Sequence, residues 1–204
     1  MIRLYRAPWS TNVERVTLAL GHKGLEAESI WIDYSDRSLV EQVSGQPLVP
    51  VVDFGGEVAH DSARIIKRLD ELYPDPPLYP ADRARGAEMD VFIEWFDGVW
   101  KRPPNEIERI LGLPETDPDQ INELARLMEE WLDFFESMLQ GRDYLFGGEF
   151  SAADCIAYPF LKYAAGRDPA DDELFHRILD RHQSVEGRPQ LAAWIERIRQ
   201  LPQA

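Results

Sequence analysis

The sequence predicts a small α/β domain, ordered βαβ-ββα around a mixed sheet, followed by a domain built only of helices. Three observations predict it. Up to about residue 72, stretches with strand alternation take turns with stretches of helical spacing. Pro74-Asp75-Pro76-Pro77-Leu78-Tyr79-Pro80 then sets four prolines in seven residues, which no helix continues. Everything after that segment reads as helix. The first domain is therefore placed over residues 1–76 and the second over 77–204.

Ile2 to Tyr5 alternates as a short buried strand, and Ala7-Pro8-Trp9-Ser10 breaks it. A helix is expected from Thr11 to Lys23, with Val13, Val16 and Leu20 on one face, Thr11 and Glu14 as a capping box, and Gly24 as its stop. Glu28 to Asp33 follows as a strand, with Ile30 and Ile32 on one side and Trp31 on the other. Ser38 to Val43 is weakly helical. Leu48 to Phe54 reads as a strand with Pro50 near its start, and Gly55-Gly56 is a hairpin signal leading to a return strand at Glu57 to His60. Asp61-Ser62 opens a helix through Ile65, Ile66, Leu69 and Leu72. Strands alternating with helices require a parallel pair, and the Gly-Gly turn requires an antiparallel one.

Past the prolines, Arg83 to Trp100 is one long helical pattern. Pro103-Pro104 interrupts it, and helix resumes from Asn105 to Leu111. Asp117-Pro118 starts another helix, which Gly141 ends. Further helices are expected from Ser151, after Pro169-Ala170-Asp171, and from Pro189.

The net charge of −15 repels phosphate backbones, and no dense Lys/Arg run offers the counterion release that nucleic-acid binding needs. The same charge disfavours anionic membrane surfaces, and no apolar run reaches the length of a membrane span. The start alternates as a strand and carries no signal-peptide pattern. Cys155 is the lone cysteine, so no intrachain disulfide forms and a reducing, cytoplasmic setting is expected. His22, His60, His176 and His182 are scattered without ligand spacing, so no metal is expected.

Four short segments stand apart from this framework. They are Ser10-Thr11-Asn12-Val13-Glu14-Arg15-Val16, Leu48-Val49-Pro50-Val51, Asp61-Ser62, and Phe150-Ser151-Ala152-Ala153-Asp154-Cys155. Read alone, the first and third are helix caps, and the second is a strand-edge proline. The fourth is a capping box with a hydrophobic staple, and Cys155 within it is an inert core thiol.

In their order and spacing the four segments resemble the glutathione S-transferase family across nearly the whole chain. The resemblance implies a thioredoxin-like first domain and an all-helical second one. It also implies a cytoplasmic homodimer that conjugates glutathione, as co-substrate, to a small electrophilic apolar compound. Ser10 occupies the place of the first Cys in the C-P-x-C segment of glutaredoxin-like relatives. A thiol-disulfide oxidoreductase needs that Cys, so the Ser argues against one. Ser10 and Asn12 become the catalytic pair. A helix N-terminus carries unpaired N–H groups and roughly half a positive charge, which favours a thiolate, and a hydroxyl aimed at the sulfur lowers its pKa further. Val49 and Pro50, with a cis bond between them, would hold the cysteinyl backbone as an added strand. Asp61 and Ser62 would hold the γ-glutamyl end at a helix start.

Two departures from the family pattern stand out. Asp61 is one methylene shorter than the usual Glu, and Gln46-Pro47-Leu48 replaces a loop that often carries a basic or polar residue for the glycyl carboxylate. Trp9, Trp95, Phe96 and Trp100 are expected to line the apolar substrate site, although aromatics at helical spacing also serve a core. The segment from Pro103 to Pro118 is expected to cover that site. The same fold also serves as a non-catalytic binding or regulatory module, and an isomerase or dehalogenase would use the same thiolate.

Overall fold

The computed structural model describes residues 1–204, which divide into two compact units, 1–86 with 200–204, and 87–199. The first unit has β1 (Ile2–Arg6), α1 (Thr11–His22), β2 (Ala27–Trp31), α2 (Ser38–Ser44), β3 (Val51–Asp53), β4 (Val58–His60) and α3 (Ser62–Leu72). The sheet order is β2-β1-β3-β4, with β1 and β2 parallel and the β1–β3 and β3–β4 pairs antiparallel. This is the βαβ-ββα order that the sequence predicts.

The alternation of β1 divides its side chains between two layers. Tyr5 and Val51 pack with Ile32 and Val40, so α2 and the residue just past β2 cover that face. α1 and α3 pack on each other and enclose Val16, Leu20, Ile65, Ile66 and Leu69, each fully buried. Gly55 and Gly56 take positive φ values of 89° and 116°, and both donate their N–H to Asp53 Oδ1 to close the hairpin. The tail returns to this unit: Ala204 N donates to Thr17 O, and Arg6 donates to Ala204 O. A Cβ on Gly21 would lie 2.1 Å from Pro202 O, so only glycine admits the tail.

Several boundaries differ from expectation. The cap of α1 is Ser10, one residue earlier than Thr11, because the Ser10 hydroxyl accepts the Val13 N–H at 3.3 Å. β3 is only Val51–Asp53, shorter than the expected strand from Leu48, because the peptide bond from Val49 to Pro50 is cis and turns the chain off the sheet.

The second unit is helical throughout. α4 (Arg83–Trp95) begins in the first unit and leads into a π-helical turn over Phe96–Trp100. α5 (Arg102–Leu111) starts ahead of Pro103-Pro104, and the prolines lie in its first turn, where their missing N–H groups cost nothing. The expected interruption is thus a helix start, and much of the expected covering segment is helix. α6 (Pro118–Met138), α7 (Ala152–Leu161), α8 (Leu174–Arg181) and α9 (Pro189–Arg199) complete the unit. No helix is long and apolar enough to cross a membrane.

α7 is buried at every position. Its capping residues Ser151 and Asp154 pair as the sequence predicts: Asp154 Oδ2 accepts Ser151 N at 2.9 Å and Ser151 Oγ at 2.7 Å. Asp154 Oδ1 accepts Leu145 N at 2.9 Å and Trp194 Nε1 at 2.8 Å. One fully enclosed carboxylate therefore joins the preceding loop, α7 and α9. Burial nonetheless pushes its pKa up.

Candidate functional site

Tyr5, Val51 and His60 form one row across β1, β3 and β4. That row sets the site. From Tyr5 the chain runs on to Ser10, it enters Val51 from Val49-Pro50, and from His60 it passes directly into Asp61-Ser62. The antiparallel pairings thus deliver three of the predicted segments to the same end of the sheet.

Backbone strain collects at that end. Trp9 (φ 57°) and Asp61 (φ 73°) are the only non-glycine residues with positive φ. For side chains of this kind such a conformation is uncommon and costs about 1–3 kcal/mol, and it concentrates at functional sites. Trp9 is 46% exposed, beside Pro8, whose carbonyl accepts the Tyr34 hydroxyl at 3.0 Å.

Ser10 is half-buried, with extended backbone at φ −79° and ψ 110°, as an N-cap requires. Its oxygen already accepts the Val13 N–H, while its hydroxyl proton has no acceptor in the chain. Asn12 is half-buried in the first turn of α1. The cis bond before Pro50 matches what the resemblance implies. Val49 packs its side chain against the Tyr5–Val51 cluster, but its N–H and C=O form no hydrogen bond in the chain.

The loop before it is held by its own side chain. Gln46 Nε2 donates to Leu48 O at 2.9 Å and to Ser44 Oγ at 3.0 Å, and Gln46 Oε1 accepts Leu48 N at 2.7 Å. Arg37 adds a bond to Pro47 O at 3.1 Å. At α3, Asp61 Oδ1 accepts the Arg64 N–H at 3.1 Å as the N-cap. Ser62 is 6% exposed, and its hydroxyl accepts Arg15 Nη1 at 3.2 Å.

Arg15 is the participant that sequence reasoning left without a role. It is 1% exposed and carries a guanidinium from α1 to the first residue of α3. The available signal was a basic residue set directly ahead of an apolar or small run, Val16 to Leu20. A charge there must be paired if the helix is buried. The partner, 47 positions away, has no local trace.

The aromatic residues predicted for an apolar substrate divide. Trp95 is half-buried, with Trp131 at 5.8 Å and Phe134 at 5.5 Å between ring centroids. Phe96 and Trp100 are both 0% exposed and stack at 4.5 Å. The π turn that joins them sets these two rings inside the bundle, so neither presents a wall to solvent. A cavity of the helical unit, about 590 Å³, is lined instead by Val99, Leu124, Leu127 and Trp131, with Arg102 and the Glu106–Arg109 pair. Its leucines were legible only as part of an amphipathic helix.

Residues 4–77 match the family model described as Glutathione S-transferase, N-terminal domain, and residues 118–197 match Glutathione S-transferase, C-terminal domain. Together these take in well over half of the sequence, and the chain belongs to the glutathione S-transferase family. It is 27% identical over 206 residues to Glutathione S-transferase L1 of Arabidopsis thaliana, covering 98% of this chain and 78% of that protein. It is 29% identical over 176 residues to Maleylpyruvate isomerase of Ralstonia sp, covering 80% of this chain and 82% of that protein. In structure it resembles the Tau class glutathione S-transferase MiGSTU from mango, Mangifera indica L., with a TM-score of 0.81 at 17% identity, over 98% of this chain and 89% of that one.

Proposed function

We propose that the chain is a glutathione-dependent transferase that uses the end of the sheet defined by Tyr5, Val51 and His60. The cysteinyl backbone of glutathione pairs with the Val49 N–H and C=O. The γ-glutamyl carboxylate meets the N–H groups at the start of α3 and Ser62, with Asp61 facing the ammonium. The thiol lies at the start of α1, where Ser10 donates its hydroxyl proton to the sulfur and Asn12 assists. The thiol gives its proton to solvent. The thiolate then forms a bond to an electrophilic carbon, and the leaving group departs with its electron pair. Trp9, exposed in the first unit beside Ser10, is proposed for the apolar substrate. Cytoplasmic residence and a homodimer belong to the same reading.

The observation that carries this reading is Val49. Its unpaired backbone groups lie in sequence between the starts of two helices whose free N–H groups suit the thiolate and the γ-glutamyl carboxylate of the tripeptide. Each pKa unit removed from the thiol is worth about 1.4 kcal/mol and close to tenfold more nucleophile. The test is the rate of conjugation of glutathione to a chlorinated nitroaromatic. A rate above buffer that falls in Ser10→Ala supports the proposal. No rate above buffer, or an equal rate in the variant, overturns it.

A second reading, a non-catalytic binding or regulatory module, is favoured by one feature. Gln46 and Asp61, at the positions that would reach the two ends of glutathione, are engaged within their own turns. Calorimetry with glutathione separates the readings, since a module of this kind shows no heat of binding even at tens of millimolar tripeptide.

A further inference from the structure

A second cavity, about 460 Å³, opens in the helical unit among α5, the start of α6 and α8. Its size lies in the range of small-molecule sites, about 300–1,000 Å³. Leu111, Ile121 and Ile178 give it an apolar wall, while Arg177, Arg181 and His182 supply the charged and titratable side chains. No carboxylate lines it, in a chain of net charge −15. Arg177 and Arg181 lie four residues apart and so share one face of α8.

Neither guanidinium has a buried acidic partner. The Arg181 side chain has no ion pair or hydrogen bond in the chain. Arg177 reaches Asp172 at 3.7 Å, where the Asp172 side chain is 84% exposed. A pair so exposed is worth little. Burial, and secondarily the charge of Arg181, holds His182 below its ordinary pKa. Apolar walls with one sign of charge focus the field on an incoming ion.

We infer that this cavity binds an amphipathic organic acid, its carboxylate held by Arg177 and Arg181 and its hydrocarbon body laid on Leu111, Ile121 and Ile178. Planar guanidinium groups match a carboxylate with two parallel hydrogen bonds. The apolar wall selects against small inorganic anions, which leave it uncovered. Nothing in this site draws on Ser10, Val49 or Ser62, so it stands whether or not the chain is a transferase.

The test is calorimetric titration of the full chain with decanoate and, separately, with decanol. Decanoate is expected to bind at one site, more weakly as salt is raised, and decanol far less. Arg177→Gln with Arg181→Gln is expected to weaken decanoate by about tenfold or more, the loss of charge-assisted bonds. Arg177→Lys with Arg181→Lys, which keeps both charges, is expected to retain most of the affinity. Both arginines are on the surface, and intrinsic tryptophan fluorescence checks that the variants stay folded. No decanoate binding, binding equal to that of decanol, or equal binding by the glutamine variant overturns the inference.

Discussion

Arg15 Nη1 donates to Ser62 Oγ across 3.2 Å, joining the helix that starts at Ser10 to the helix that starts at Asp61-Ser62. The bond is buried at both ends, with Arg15 at 1% and Ser62 at 6% exposure. It holds the two proposed anion-binding helix starts in one frame.

Replacing that guanidinium tests the frame. Arg15→Met is expected to raise the KM for glutathione about tenfold while kcat changes less, since Arg15 positions Ser62 and does not touch the sulfur. Leaving Ser62 without its donor also costs about 1–3 kcal/mol of stability. Steady-state kinetics against glutathione and urea unfolding measure the two effects. An unchanged KM in a folded variant rejects the positioning role.

Ser10 acts on the thiol. In Ser10→Ala the pKa of bound glutathione is expected to rise by about one unit, moving the rising limb of the rate–pH profile to higher pH by the same amount. At neutral pH the rate then falls about tenfold, because less of the thiol is ionised. Loss of the cap lowers stability by about 1 kcal/mol. The ultraviolet absorbance of the bound thiolate, followed against pH, reads the shift directly.

Lys23 ties the end of α1 to the proline-rich segment. Its Nζ is enclosed, donating to Asp70 Oδ1 at 2.8 Å, Tyr73 O at 2.6 Å and Pro76 O at 2.8 Å. Lys23→Met is expected to cost about 1–3 kcal/mol, because the two carbonyls lose a charged donor. Limited proteolysis is expected to cut faster between residues 73 and 80 in the variant. Equal cutting rates count against that role.

Asp154 gives a pH dependence of known sign. Burial raises its folded pKa above the ordinary carboxylate value. The folded state therefore holds the proton more tightly, and this contribution to stability is fully present below the unfolded pKa and lost as pH rises through the folded one. Asp154→Ala removes four hydrogen bonds from the centre of the bundle and is expected to cost about 2–4 kcal/mol. The gap between wild type and variant in denaturant unfolding is expected to be widest at acid pH and to narrow toward neutrality. A gap that widens toward neutrality contradicts the sign.

What the sequence determined by itself is local. Strand alternation, helix spacing, the Gly55-Gly56 turn, the Ser151/Asp154 cap and the proline segment each arise from residues within a turn or two of one another, and each forms. The starts of α1 and α3 and the position of Pro50 were legible for the same reason. Pairing between distant segments was decided only by the tertiary structure. Arg15 finds Ser62 across 47 positions, the tail at Ala204 returns to Thr17, and a π turn sends Phe96 and Trp100 into the core. Gln46 turns back to lock the loop before Val49. A short window records propensity and periodicity, whereas which buried donor meets which acceptor depends on how the layers pack.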